Sequence, residues 1–345
     1  MGHKVGMYGG AFDPLHNGHV NCIKKASELC ENLYVVLSYS RSRDHVPMEM
    51  RYRWLIQTTR HMQNVKVILL EDTASSKEDY DQDAYWEAGR DHVLSQIGSL
   101  VDVVFCGSDY SGSNRYEALY HCKVVYFDRA EIEISSSEIR ENPFRHWDML
   151  PEYVRPYYIK KIAFVGGEST GKSTIVERLA KTYGTNYLEE VGREVCDYAG
   201  TEDSMIADDF YEILLNHKAK ELRLEKQSRK LLFVDTEAIT TLWFSGFLLT
   251  SEEEKTKIKA LAESIISINN FDLVFFMEPT VPFVQDGTRN EKIAADRVRY
   301  SEQIKALLRE YGVKFICLDG GYDERFERAK QIINETCAIE EDYHE

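Results

Sequence analysis

No apolar run in this chain approaches the roughly 18 residues that a membrane-spanning helix needs. Its longest core-like stretches, such as Leu273-Val274-Phe275-Phe276-Met277, are strand-length. The start lacks the apolar segment of a secretory leader, because after Gly2-His3-Lys4 the chain passes directly into a strand pattern. The expected setting is the cytoplasm. Cysteine lacks paired spacing: the seven, at 22, 30, 106, 122, 196, 317 and 337, form no Cys-x-x-Cys and fall mostly in strand or helix patterns. Reduced packing thiols are expected rather than disulfides or zinc ligands. Positive charge is short as well, with 42 Lys and Arg against 58 Asp and Glu and a net charge of −16. A nucleic-acid backbone as partner is therefore not expected, since such binding needs clustered cations to displace counterions. Small anionic ligands remain open, held by a few local cations and helix N-termini.

What is present is a soluble globular composition, 43% hydrophobic and 29% charged over 345 residues, a length that suggests two domains. Near the middle lies Gly166-Gly167-Glu168-Ser169-Thr170-Gly171-Lys172-Ser173, a Gly-x4-Gly-Lys-Ser phosphate loop. An apolar strand pattern, Lys161-Ile162-Ala163-Phe164-Val165, precedes it, and helical spacing from Thr174 follows. Strand, loop and helix are the context the motif requires. The glycines let backbone N–H groups wrap the phosphates of ATP, Lys172 reaches the terminal phosphates, and the Ser173 hydroxyl is placed to ligate magnesium.

A second phosphate loop, of another type, opens the chain. Val5-Gly6-Met7-Tyr8 runs as a strand into Gly9-Gly10-Ala11-Phe12-Asp13-Pro14-Leu15-His16-Asn17-Gly18-His19, followed by a helix over 20–30. Gly9, Gly10 and Phe12 bring backbone near a nucleotide, while His16 and His19, three apart at a helix entrance, aim imidazoles at its phosphates. Near the end of this half, Ile134-Ser135-Ser136-Ser137-Glu138-Ile139-Arg140 reads as a capped helix start able to hold phosphates, with Arg140 one turn inside. Strand patterns at 33–37, 65–70, 101–106 and 123–127 alternate with helical ones at 48–62 and 84–97, which implies a parallel sheet with ligands at its carboxyl edge. Arg51, Tyr85-Trp86 and Gly107-Ser108-Asp109-Tyr110 fall on that edge. Trp86 reads equally as core or as a ring that stacks on a heterocycle, and Arg51 as substrate contact or surface ion pair.

Residues 142–156, with three prolines and several aromatics, read as an ordered connector between domains at 1–150 and 157–345. Beyond the central loop, 187–188 is a short strand leading to Glu189-Glu190 and Gly192-Arg193-Glu194, and 204–229 is a long charged helix. Leu231-Leu232-Phe233-Val234-Asp235-Thr236 is a strand ending in the aspartate expected near magnesium. After the strand at 273–277, Phe283 and Val284-Gln285-Asp286-Gly287-Thr288-Arg289, with Arg297 and Arg299 beyond, resemble an arginine-bearing lid over the γ-phosphate. A strand at 314–317, a helix at 322–336 and an acidic tail complete the unit.

The histidine loop resembles the signature of nucleotidyltransferases that move an adenylyl or cytidylyl group onto a phosphate. Joined through Pro143-Phe144-x-x-Trp147…Pro151…Arg155-Pro156 to Gly166-Gly167-Glu168-Ser169, Glu190-x-Gly192-Arg193-Glu194 and Asp286-Gly287-x-Arg289, it closely resembles the bifunctional NadR-like family over nearly the whole chain. The resemblance implies an α/β protein of two doubly wound parallel-sheet domains, an N-terminal Rossmann-like nucleotidyltransferase and a C-terminal P-loop kinase. It implies that nicotinamide riboside is phosphorylated by ATP to its mononucleotide (NMN) in the second half and adenylylated to NAD in the first, with magnesium as cofactor. In the kinase half the expected groups are Lys172, Arg289 and Arg297 on phosphates, with Gly166, Gly167, Glu168, Ser169, Thr170, Gly171, Ser173 and Thr174 around ATP. Glu190 is expected as base and Asp235 on the metal with Ser173, two roles that could be exchanged. Arg193 is placed on ribose or phosphates, and Phe283 on a ring. In the transferase half His16, His19 and Arg140 act on phosphates, Gly9, Gly10, Phe12, Ser135, Ser136 and Ser137 bind ATP, and Arg51, Trp86, Asp109 and Tyr110 meet the second substrate.

Some members of that family carry an N-terminal DNA-binding domain; here the first strand starts by about Lys4, and no helix-turn-helix is expected. The motifs read phosphates rather than the second substrate, so two alternatives stay open. One is an adenylyltransferase for another phosphate beside a different nucleoside kinase. The other is a non-catalytic NAD or ATP sensor, against which the joint presence of His16, His19, Lys172 and Asp235 speaks.

Overall fold

The computed structural model describes residues 3–107, 114–127, 134–285 and 290–339. The chain divides into two compact units, Met1–Val154 and Arg155–Glu345. The first runs β1 (His3–Gly10), α1 (Asn17–Leu29), β2 (Cys30–Tyr39), α2 (Met48–Thr59), β3 (Val65–Glu71), α3 (Asp83–Ile97), β4 (Val103–Gly107), α4 (Arg115–Tyr120), β5 (Lys123–Phe127) and α5 (Ser136–Glu141). Its five strands are all parallel in the order β3-β2-β1-β4-β5. Helices cover both faces, and so β4 is buried along its whole length rather than on alternate residues. Gly6 in β1 is required by packing: a Cβ there would lie 2.8 Å from the Phe105 ring and 2.9 Å from the Cys30 sulfur.

The second unit runs β6 (Lys160–Val165), α6 (Lys172–Tyr183), β7 (Tyr187–Leu188), α7 (Val191–Ala199), α8 (Ala207–Glu225), β8 (Leu231–Asp235), α9 (Ala238–Leu248), α10 (Glu252–Ile268), β9 (Leu273–Met277), α11 (Glu291–Ala295), α12 (Arg297–Glu310), β10 (Ile316–Leu318) and α13 (Tyr322–Cys337). The sheet is again five-stranded and parallel, in the order β10-β9-β6-β8-β7. Phe210 and Leu214 of α8, Ala238 of α9 and Ile258, Ala262 and Ile265 of α10 form one apolar cluster. Beneath α8, Glu221 accepts hydrogen bonds from Lys161 and Lys218, each at 2.9 Å; all three side chains are buried. The two cations hold the Glu221 carboxyl below its ordinary value although burial opposes ionisation.

Element types follow the sequence pattern, whereas several ends and several helices do not. The long helix expected at 204–229 begins at Ala207, where the Asp209 carboxylate accepts the Ile206 N–H at 2.8 Å, and ends at Glu225. The helices α4, α7, α9 and α10 carry no sequence signal used above; α9 in particular is apolar nearly all round, so its periodicity is weak. The connector is ordered and its first part belongs with the first unit: Asn17 donates to the Asp148 carbonyl at 3.0 Å, and the Tyr153 and Thr58 hydroxyls are 2.6 Å apart. Phe144, Trp147, Leu150 and Val154 are buried.

Candidate functional site

Each sheet reverses its strand order beside its central strand, β1 or β6, and a phosphate loop leaves the carboxyl end of that strand. In open parallel sheets this crevice is where ligands bind.

In the first unit the loop after β1 turns through Phe12 at φ +51° and a cis Asp13-Pro14 bond into α1. Asp13 ties the loop to the segment before α2, accepting the N–H groups of His45 at 3.0 Å and Val46 at 2.9 Å. His16 caps α1, and its ring stacks on that of His19 with centroids 3.7 Å apart. His19 Nδ1 accepts the His16 N–H at 3.4 Å, which in the neutral ring leaves the proton on Nε2 as a donor. Stacked rings do not converge on a metal ion, and among the described residues no group of three His, Cys, Asp or Glu side chains does.

A cavity of about 820 Å³ lies over this edge, lined by Gly9, Gly10, Phe12, His19, Trp86, Ser136 and Arg140 among others. Ser135 caps α5 by accepting the Glu138 N–H at 3.2 Å, Ser136 donates to the Pro14 carbonyl at 3.0 Å, and Arg140 donates to the Asp13 carbonyl and, at 2.9 Å, to Ser137. The serine helix and the histidine loop are thereby one assembly. Asp109 and Tyr110 lie outside the described residues. Arg51, expected as a substrate contact or surface ion pair, is 0% exposed and does not line the cavity. It donates to the Ala11 carbonyl at 2.6 Å and pairs with Asp44, so it braces the loop from the interior.

The far wall of the cavity contains a cluster of which sequence reasoning singled out only Tyr85. Asp72 accepts the Tyr80 hydroxyl at 2.6 Å and the Tyr85 hydroxyl, and pairs with Arg43 at 2.9 Å. Burial resists the charge on Asp72, but these donors hold its carboxyl below the ordinary range. Trp86 lines the cavity, its indole N–H donating to the Tyr80 carbonyl at 2.8 Å and its ring lying 4.8 Å from the Arg115 guanidinium.

In the second unit the loop has Gly166 at φ +147°, Ser169 at +55° and Gly171 at +86°. A Cβ on Gly166 would meet the Met277 carbonyl at 2.8 Å, so both conformation and space demand glycine. Lys172 Nζ donates to the Gly166 and Gly167 carbonyls at 3.1 and 3.0 Å. Phe164 of β6 stands opposite Asp235 of β8, and that register brings the Ser173 hydroxyl to 2.6 Å from the Asp235 carboxylate. Burial and then the charge of Glu190 push Asp235 up to about 6. Thr236, next in the chain, holds φ +70°, which a β-branched residue rarely adopts. Such strain, like that at Phe12 and Ser169, sits beside the phosphate sites. Thr170 packs inside the loop, and Thr174 is exposed on the first turn of α6.

Beside Lys172 opens a smaller cavity of about 100 Å³, lined by Glu168, Ser169, Glu190, Arg193, Glu202 and His217 together with Phe210 and Phe244. Glu190 and Arg193 pair at 3.6 Å. Arg297 donates to the Ser169 carbonyl at 2.9 Å, and Val284 N–H donates to the Ser169 hydroxyl at 2.8 Å, which ties the segment after β9 to the loop. Arg289 lies outside the described residues. Phe283 rests 5.7 Å from the Arg297 guanidinium and is not part of the cavity wall; Phe210 and Phe244 are. These two, with Glu202 and His217, sit on helices and a turn whose sequence carries no motif. Arg325, also missed, is 1% exposed and donates to the Thr170 carbonyl at 2.7 Å.

Known proteins resemble both units. Residues 7–142 match the cytidylyltransferase-like family and residues 161–325 the AAA domain family. Over 347 positions the chain is 28% identical to the trifunctional NAD biosynthesis/regulator protein NadR of Escherichia coli, covering 96% of this chain and 83% of that one. The first unit is 30% identical over 146 residues to the phosphopantetheine adenylyltransferase of Streptococcus pneumoniae, 84% of whose length is matched. Among solved structures, a NadR protein in complex with NAD and AMP-PNP superposes with a TM-score of 0.83 at 25% identity, covering 98% of each chain. A NadR protein in complex with NR gives 0.82 at 24% identity.

Proposed function

On the premise that this chain belongs to the NadR-like family, we propose that it makes NAD in two successive steps, one in each unit. The second unit transfers the γ-phosphoryl group of ATP to the 5′-hydroxyl of nicotinamide riboside, giving NMN and ADP. The first joins NMN to the adenylyl group of ATP, giving NAD and pyrophosphate. The observation that carries this reading is that the matched length runs through both phosphate loops, each at the strand-order reversal of its own sheet.

In the kinase step Glu190 is the base. It lines the acceptor cavity beside Lys172, whereas Asp235 is 1% exposed, bonded to Ser173 and absent from that wall. The 5′-oxygen gives its proton to Glu190 as it attacks phosphorus, and Lys172 and Arg297 hold charge on the phosphoryl oxygens. Ser173 and Asp235 would hold magnesium; their adjacent oxygens suit a hard cation, which when bound neutralises phosphate charge. Arg193 orients the ribose. In the transferase step no base is needed, because a phosphate monoester is already the nucleophile. His19 and Arg140, with the N-terminus of α1, hold the reacting phosphates in line and stabilise the leaving pyrophosphate. His16 positions His19 through the ring stack, and Trp86 receives the pyridine ring. The cytoplasm is the proposed setting, supported by seven cysteines that form no disulfide.

Incubation with ATP, magnesium and a panel of nicotinamide riboside, NMN, nicotinate mononucleotide and 4′-phosphopantetheine tests the assignment. Lys172→Ala is expected to lower riboside phosphorylation by at least about 100-fold and keep adenylylation of NMN; His19→Ala is expected to do the reverse. Preferred turnover of 4′-phosphopantetheine would sink the transferase half of the reading.

A further inference from the structure

His45, in the segment between β2 and α2, lines the cavity of the first unit together with His19 and Arg140. Its backbone N–H and that of Val46 are bonded to the Asp13 carboxylate, which anchors the segment whatever side chain stands at 45. The imidazole is therefore spare to the local structure, and yet it is held in one orientation. Nδ1 lies 3.2 Å from Asp13 Oδ2; the Asp13 side chain is 8% exposed and the ring 65%. A carboxylate only accepts, so Nδ1 carries the proton of that bond. Nε2 has no protein partner among the described residues. Arg140 stands 4.0 Å from the same Asp13 oxygen. A ring and a guanidinium thus flank one buried carboxylate at the edge of one cavity, and an anion held by Arg140 lies beside the ring.

We propose that His45 is a further catalytic residue of the transferase step, donating a hydrogen bond from Nε2 to the pyrophosphate as it leaves. The inference rests on the adenylyltransferase reading above. An oxygen of the NMN phosphate attacks the α-phosphorus of ATP. The bond from that phosphorus to the oxygen that bridges it to the β-phosphorus breaks, and its electron pair stays on pyrophosphate. Charge therefore grows on the pyrophosphate oxygens in the transition state, where a donor fixed beforehand lowers the barrier most. With one N–H spent on Asp13, the ring offers another at Nε2 as the imidazolium, which bridges the carboxylate behind it and the phosphate in front. The proton stays on the ring throughout, so the step needs no acid or base.

The test is steady-state adenylylation of NMN, and its reverse, the attack of pyrophosphate on NAD, by the full chain and its His45→Ala and His45→Arg variants. His45→Ala should lower kcat/KM for adenylylation at least about tenfold, less than an enclosed donor would, because solvent reaches the ring. In the reverse direction it should raise KM for pyrophosphate at least about fivefold and KM for NAD less than about twofold, with riboside phosphorylation by the same preparation changed less than about twofold. His45→Arg keeps a charged donor on the same anchored backbone and should recover most of the loss. A merely structural role would move KM for NAD and for pyrophosphate together. Unchanged adenylylation in His45→Ala, or a KM for NAD that rises as far as that for pyrophosphate, overturns the inference and leaves the adenylyltransferase reading standing. A wild type that phosphorylates the riboside and does not adenylylate NMN overturns both.

Discussion

Glu202 is an acid kept protonated by its surroundings, and that leaves a mark on stability. Burial, then the hydrogen bond and charge of Glu168, push its carboxyl up to about 9 from 4.5. Glu190 adds to the shift; the Asn290 side chain opposes it, and Lys172 charges the other side of the pair by favouring ionised Glu168. Between the two values the folded chain binds more protons at this position than the unfolded one. The contribution is therefore fully present below about 4.5 and is lost as pH rises toward 9. Glu202→Gln removes the proton site and should gain on the wild type as pH rises. We expect the difference in melting temperature between pH 5 and pH 8.5 to move by at least about 2 °C in the variant's favour. Parallel melting curves across that range would show that the pair shares no proton.

At the scale of elements, each phosphate loop is braced from inside by a fully buried arginine on a helix distant in sequence. Arg51 of α2 holds the Ala11 carbonyl, and Arg325 of α13 holds the Thr170 and Glu278 carbonyls, each at 2.7 Å, with the Thr280 hydroxyl. Burial pulls the Arg325 guanidinium below its ordinary value, and three acceptors offset that cost. Arg325→Met keeps volume but strands those acceptors, at about 1–3 kcal/mol each. Urea unfolding should show the second unit losing at least about 3 kcal/mol, with KM for ATP in the kinase step raised about tenfold and adenylylation unaffected. An unchanged KM would mean that the loop keeps its shape without the brace. Neither arginine announces this role in sequence, because an arginine on a helix reads the same whether it points to solvent, to a substrate or inward.

For the whole molecule, two complete sheets with separate phosphate loops imply that fragments 1–156 and 157–345 each fold and keep one activity. The place of the cut matters. A fragment ending at 150 loses buried Val154 and the bond between the Tyr153 and Thr58 hydroxyls. It should melt several degrees, about 4–8 °C, below fragment 1–156. Circular dichroism melting with both assays decides it, and a folded but inactive fragment 157–345 would count against a self-contained kinase unit.

Sequence alone settled the two parallel-sheet units, both phosphate loops, the serine helix and the pairing of Ser173 with an aspartate at a strand end. These are local: strand, glycine turn and helix start lie within about twenty residues, and backbone N–H groups can cradle phosphate only through such short patterns. Tertiary structure alone decided which side chains line the cavity beside Lys172 and which face inward. Glu168, Glu202 and His217 come from a loop, a turn and a helix with no common period, and meet only because the strand order reverses beside β6. Arg51 became a brace rather than a substrate contact for the same reason: the direction of a side chain depends on what packs around its helix, and burial is a property of the assembled sheet and helices rather than of spacing along the chain.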